Sequence, residues 1–513
     1  MRAPTLLLAL VIAVVAEARA DFAVPARMAG VARGNLDGTG NVVQNSNRVL
    51  NILDQFQSIT EWLYSLQTPA LYRMATGFRS VMDSLVETGS PIFQALSNAA
   101  RLSSGNVSSI FAGIRRNIEV AVALEDLHQL AINGTVPFVG VDSVRNFSAV
   151  LELLVRNVRN LSATMDDEIE PAIVDIQRLP IHPSQQLVDA LYPREGVRQL
   201  NRVLLDYVNI GLATVPQINA VVNRVRLMDG FITRLDSVST TQQLYLNNSL
   251  NAVDGTVSSA IQGRLQATLR ALGESYNRSV TTLSGKLQAF RGESDFHREA
   301  QNSSLLLGQR LANVTQTLEG LASERVRVRL PTRGSRVVMN LTIAAVNSLA
   351  WHLTLAVTSS TAHADSCFRR YNFEFDKVPR QIYGTLSGCG QGELRALQTV
   401  TGALTGYLGV LQTHLDVETR NYDQCLGGLG LNPSEELMRQ RRVCLEAARH
   451  FSVLLGGPVF HGQLATFSGL LQDEQVNSYD RYSTCVSGAY RLMATEVEYL
   501  GNSLATCMNR TTF

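Results

Sequence analysis

The sequence predicts an all-α protein: an elongated arrangement of multi-helix bundles with a C-terminal antiparallel helical domain bridged by disulfides. Three observations predict it. Apolar residues recur at helical spacing along most of the 513 residues. The longest such run is Leu250, Val253, Val257, Ile261, Leu265, Leu269, Leu272, Tyr276, Val280, Leu283, Leu287 and Phe290, with a mean step of about 3.64. All six cysteines lie in the last third, at 367, 389, 425, 444, 485 and 507, and the first two and the last two each stand 22 positions apart.

The chain opens with the pattern of a secretory leader over 1–20. Arg2 supplies the positive end, Leu6 to Ala16 the apolar core, and Ala18-Arg19-Ala20 a small-x-small cleavage site. Residues 21–40 are expected to form a flexible arm, since Gly30, Gly34, Gly38 and Gly40 fall in a stretch without period. An N-terminal helical region over 41–215 follows. Val49 to Leu66 is its first helix, ended by Pro69, and Met74 to Leu85 its second, stopped at Gly89-Ser90-Pro91. Ile110 to Leu130 is another. Val144, Phe147, Leu151, Leu154, Val158, Leu161 and Met165 then step 3, 4, 3, 4, 3, 4, with Asp142 or Ser143 as cap. This heptad suits a coiled coil or, over so few repeats, a bundle helix. Asp166-Asp167-Glu168 reads as a solvated turn, and Pro171, Pro180, Pro183 and Pro193 mark a hinge.

From 216 to 330 the long amphipathic stripe dominates, and a stripe of that length must be covered. Arg325, Arg327, Arg329, Arg333 and Arg336 close it, with strand-like alternation in 325–330. A linker and lead-in helix over 331–360 carries Ile343, Val346, Ala350, Leu353 and Val357. Asn347, Ser348 and His352 interrupt this stretch, so no membrane span is expected, and the final residues have no apolar tail. In the cysteine-bridged domain, 361–513, Pro379 should kink the first helix and Ser387 to Gly392 should act as a hinge. Asn432-Pro433-Ser434-Glu435 is a helix start, and the last helix runs from about Leu464 to Cys507.

Composition narrows function chiefly by exclusion. A net charge of +1 argues against a nucleic-acid binder. The sequence has no C-x2-C or H-x3-H pair for zinc, and neither G-x-S-x-G nor H-E-x-x-H. No catalytic residue, metal or cofactor is therefore expected. Cys444 with His450 is the nearest approach to a thiol–imidazole pair, and a disulfide is the better reading of that cysteine. An even number of cysteines behind a secretory leader suits disulfides. Sequons stand at Asn106, Asn133, Asn146, Asn160, Asn247, Asn277, Asn302, Asn313, Asn340 and Asn509. All but the last precede the cysteine region.

The cysteine region, about 360–510, resembles the TsetseEP domain of secreted insect proteins. The residues that carry the resemblance are the Cys-Phe-x2-Tyr opening (Cys367, Phe368, Tyr371), the cysteine that follows Pro379, a central cysteine pair and a closing pair with 21 residues between. The resemblance implies a secreted insect protein of gut or haemolymph, in some cases linked to immunity, with no catalytic residues to carry over. Two readings of function follow. One is a non-enzymatic glycoprotein that binds a secreted or microbial-surface partner. The other is a self-associating component of an extracellular layer, in which the Leu250–Phe290 stripe would pair between chains.

Helix geometry selects among the 15 pairings open to six cysteines. Twenty-two residues of helix rise about 33 Å, so neither outer pair closes on itself. They also turn through six turns plus about 40°, which places both cysteines of each helix on one face. Laid antiparallel, the two helices match at both rungs, since 367 + 507 equals 389 + 485. The predicted bridges are Cys367–Cys507, Cys389–Cys485 and Cys425–Cys444.

Overall fold

The computed structural model describes residues 22, 24, 38–102, 106–135, 139–179, 185–289, 295–320, 330–361, 363–427, 434–455 and 458–509. Among them the chain is helical, with no β-strand and an isolated bridge residue at Val24. The α-helices are α1 (Thr39–Glu61), α2 (Pro69–Arg101), α3 (Val107–Ala123), α4 (Glu125–Gly134), α5 (Val141–Thr164), α6 (Glu170–Gln177) and α7 (Gln185–Leu191). They continue as α8 (Arg194–Thr256), α9 (Arg264–Ala289), α10 (Asp295–Gly320), α11 (Arg333–Thr358), α12 (Ala364–Leu426), α13 (Glu435–Leu455) and α14 (Pro458–Met508). The leader and the strand-like arginines at 325–329 lie outside the described residues.

The chain divides into two compact units. The first comprises Met1–Asp236, Asn347–Phe373 and Gly501–Phe513; the second, Ser237–Val346 and Glu374–Leu500. These units do not follow the sequential segments 41–215, 216–330, 331–360 and 361–513. α8 runs unbroken through 215/216, because Pro216 is exposed and the carbonyl it leaves free, that of Leu212, is on an exposed residue.

In the first unit α1 and α2 form an antiparallel hairpin. Pro69 sits in the first turn of α2, where its missing N–H has no helical role. The expected stop at Gly89-Ser90-Pro91 does not occur, and α2 continues to Arg101. Pro91 is exposed and Glu87, four residues before it, faces water, so the unpaired carbonyl is solvated. The single helix expected from Ile110 is two, α3 and α4, parted at Leu124. The heptad residues of α5 are all buried, with Phe147 5.2 Å from Phe78 between ring centres. α5 is thus a bundle helix, and its cap is Gly140 in place of Asp142 or Ser143.

Asp166-Asp167-Glu168 is not a turn. It lies in a π-helical segment, Met165–Ile169, that joins α5 to α6. Two of the acids in and just after it share a cation: the Arg115 guanidinium of α3 donates to Asp166 at 2.7 Å and to Glu170 at 2.9 Å. Of the flexible arm expected over 21–40, residues 21, 23 and 25–37 lie outside the described part, and the residues at its two ends are held. Phe22 and Val24 are buried, with Phe22 6.0 Å from Phe111, and Thr39 already begins α1.

His128 of α4 is buried and shares a 2.8 Å hydrogen bond between Nε2 and Ser84 Oγ of α2. Burial pushes its imidazole below the ordinary histidine value, because the charged form is desolvated. The unfolded chain therefore takes up a proton near pH 6.5 that the fold resists. Stability is full above that pH and falls as the pH drops from there toward the folded-state pKa. Thermal melts at pH 7.5 and 5.5 should show a larger acid loss for the native chain than for His128→Gln.

In the second unit α8 and α12 run parallel. Tyr245 meets Tyr383 and Ser249 Oγ meets Ser387 Oγ at 3.0 Å, both at the same sequence offset. α11 runs antiparallel to α8, with Gln243 donating to Asn340 and Arg336 to Asn251. α14 runs antiparallel to α12, with Gln381 donating to Glu496 and Arg481 to Glu393. Neither Pro379 nor the expected hinge at Ser387–Gly392 interrupts α12. At Gly390 an added Cβ would lie in ordinary contact, 3.4 Å from Val253. Ser434 Oγ accepts from the Leu437 N–H and caps α13, while Asn432 and Pro433 lie outside the described residues.

From Leu250 to Tyr276 the long stripe is covered within the chain; the side chains of Val280, Leu283, Leu287 and Phe290 lie outside the described part. Leu250 through Tyr276 is buried, and Leu265, Leu269, Leu272 and Tyr276 share a core with Leu404, Leu408, Leu411 and Leu415 of α12. A π-helical segment, Val257–Gly263, interrupts the stripe between α8 and α9. From Val253 to Leu269 the apolar positions recur every fourth residue. In an α-helix that spacing drifts by about 40° per step. The wider turn takes the drift back and keeps the row on one face.

Candidate binding surface

α1 ends in a short 3₁₀ turn, Trp62–Ser65, that leads through three residues into α2. Leu63 is buried and anchors the turn. Its neighbours Trp62 and Tyr64 project the other way and are 52% and 54% exposed. Tyr72, one turn into α2, is also exposed.

These rings are held in place. The Arg226 guanidinium of α8 lies 4.1 Å from the Trp62 ring centre, and Arg79 lies 3.9 Å from that of Tyr64. Arg79 Nη1 also donates to the Tyr72 hydroxyl at 3.4 Å. The Tyr64 hydroxyl donates to Asp83 Oδ2 at 3.2 Å, and that bond to a carboxylate pushes its phenol upward. Beneath the turn, the buried Asp229 carboxylate accepts the backbone N–H of Gln67 at 3.0 Å and of Thr68 at 2.7 Å. Both N–H groups belong to the connection that enters α2, where orphan donors are expected. Asp229→Ala should leave them unpaired and cost about 2–3 kcal/mol. Chemical denaturation followed by tryptophan fluorescence checks this, with Asp229→Asn losing less.

The tip is electrically mixed. Arg79 faces Asp83, and Arg226 is accompanied by Asp229 on the next turn of α8. Its composition, Trp, Tyr and Arg on a turn fixed at both sides, is that of protein-interaction hot spots. Sequence reasoning missed it. Trp62 and Tyr64 fell within the Val49–Leu66 helical run, on either side of its stripe residue Leu63, and were not singled out.

The structure pairs Cys367 with Cys507, Cys389 with Cys485 and Cys425 with Cys444, at Cα separations of 5.9, 5.8 and 5.6 Å. These are the pairs the helix geometry predicts. Cys444 is thus no free nucleophile for His450. One turn from Cys389, the buried Glu393 takes a two-pronged bond from Arg481 (3.0 Å to each oxygen) and another from Ser478 Oγ at 3.1 Å. Arg481 also reaches Glu474 at 2.6 Å. The two carboxylates, Glu393 first, hold the Arg481 guanidinium even more firmly charged than usual.

None of the ten sequon asparagines is buried. Asn106, Asn133, Asn146, Asn160, Asn277, Asn302, Asn313, Asn340 and Asn509 are exposed, and Asn247 is half-buried. Asn106 also caps α3, accepting from the Ser109 N–H. Among the described residues no three His, Cys, Asp or Glu side chains converge as a metal site. One helix among them, α11, is long and apolar enough to cross a membrane. It buries Val346, Ala350, Leu353 and Val357, and its Ser335 hydroxyl bonds the buried Tyr482 hydroxyl at 2.6 Å.

Fold and bridges define the class: an all-α protein whose C-terminal region carries three disulfides. No family model, curated protein or solved structure matches the chain.

Proposed function

We propose that this is a secreted, N-glycosylated, non-enzymatic protein that works by binding a secreted or microbial-surface partner through the Trp62–Tyr64–Tyr72 tip. The observation that carries the reading is a set of exposed aromatic rings held by Arg79, Arg226 and Asp229. Ordering such rings before contact lowers the entropy lost on binding. Three disulfides are compatible with an extracellular setting. The exposed sequons suit glycan attachment. The resemblance to the TsetseEP family favours insect gut or haemolymph as the place of action. The second reading, self-association through the long stripe, has less support, since Leu265, Leu269, Leu272 and Tyr276 pack against α12.

The test compares native protein with a Trp62→Ala, Tyr64→Ala variant of unchanged melting temperature. Immobilised on beads, each is exposed to haemolymph, gut extract and whole microbes. Loss of two such anchors should weaken capture of a specific partner by roughly 30-fold or more. Equal capture by both proteins, or none by either, overturns the reading.

A further inference from the structure

Phe22 stands two residues beyond the Ala18-Arg19-Ala20 cleavage motif, yet it is among the largest fully buried side chains of the protein, at 1% exposure. Its ring lies 6.0 Å from Phe111 of α3, inside the first unit, and Val24 is buried as well. Phe22 also adopts a φ of 50°, a left-handed conformation that a bulky residue takes only when its surroundings impose it. A processing motif and a core anchor thus meet within four residues. A chain advances at most about 3.6 Å per residue, so Phe22 cannot stand more than about 7 Å from Ala20. While the leader is held in a membrane, Phe22 is held beside it.

We infer that cleavage after Ala20 completes the core of the first unit: the freed N-terminus docks Phe22 beside Phe111, with Val24 buried after it. The leader's removal is then a folding step as well as a release step. On the buried face of α3 it is Phe111 that the docked Phe22 ring meets. The inference rests on the secretory reading above, and its test separates the two.

The protein is expressed through a secretory pathway and the N-terminus of the product is sequenced. The product is expected to begin at Asp21. Its melting temperature is compared with those of Phe22→Ala, Phe22→Leu and a mature chain lacking residues 21–24. Phe22→Ala and the truncation should each melt lower by roughly 5 °C or more, with Phe22→Leu between them and the native chain. In the Ala20→Arg chain, whose leader is retained, α3 should exchange its amide hydrogens faster than in the cleaved chain. A secreted product that begins beyond Val24, or a truncation that melts with the native chain, overturns the docking and leaves secretion standing. A chain that is never exported overturns both.

Discussion

Gly140→Ala is expected to lower stability by about 3–5 kcal/mol, the largest loss expected among the described glycines. Gly140 caps α5 with φ 85° and ψ 154°, a backbone region essentially reserved for glycine. An added Cβ would also stand 2.1 Å from the carbonyl oxygen of Ser359, just past the end of α11. The obstacle is backbone, not a flexible side-chain end, so one main chain must move away from the other. The two effects compound: relaxing φ toward negative values rotates the start of α5, and holding φ drives the methyl into Ser359. Gly113→Ala is the internal control. That glycine lies inside α3 with open space around it, and alanine there should stabilise by roughly 0.5–1 kcal/mol. Guanidinium denaturation of both variants checks the pair. A Gly140→Ala loss below 1 kcal/mol would show that the Gly140–Ser359 contact is not a tight one.

The second large effect concerns the nested disulfides. With Cys389–Cys485 intact, Cys367–Cys507 closes a ring made of two 22-residue legs. The chain-entropy relation gives about 4 kcal/mol for a ring of that size. Removing Cys389–Cys485 alone costs a similar amount, since the outer bridge still limits the unfolded chain. Removing both opens the full loop, and the losses should sum to about 8 kcal/mol, enough to unfold most domains. Cys425–Cys444 spans a separation of only 19 residues and should cost least, about 3 kcal/mol. Paired Cys→Ser variants, compared by denaturant midpoint, give the order. If the outer pair proves silent, the start of α12 and the end of α14 are held together by packing alone. Cys367 is fully buried, so reductant should reach that bridge only after local opening.

Much of this was legible in the chain. A period near 3.6 names helices wherever a stripe is buried, and the α5 heptad and the Leu250–Tyr276 row are both buried as written. The bridges were legible for a stronger reason. A helix has a fixed rise and rotation, so equal spacing of two cysteine pairs leaves one antiparallel register. Glu393 and Arg481 meet within that register, although neither was singled out by sequence.

Where local rules misled, the missing quantity was the surroundings of a residue. Pro91 read as a break, since proline in a helix interior costs about 3 kcal/mol, and a segment boundary was set at Pro216. Both lie on exposed faces of helices that bury long apolar rows on their other side. Water meets the lost hydrogen bond, and packing outweighs it. Asp166-Asp167-Glu168 read as a solvated turn because Arg115 lies 51 residues before Asp166 in the sequence and one hydrogen bond away in space. Trp62 and Tyr64 fell within the Val49–Leu66 run but off its stripe, and spacing alone does not say that such off-stripe rings are gathered and held by Arg79 and Arg226. By itself the sequence determined helicity, the covered stripes and the disulfide partners, all consequences of one helix's geometry. Only tertiary structure decided which prolines a helix runs through, which carboxylates share a cation and which aromatics stay in water. Those outcomes depend on residues far apart in the chain whose packing energies exceed the local preferences.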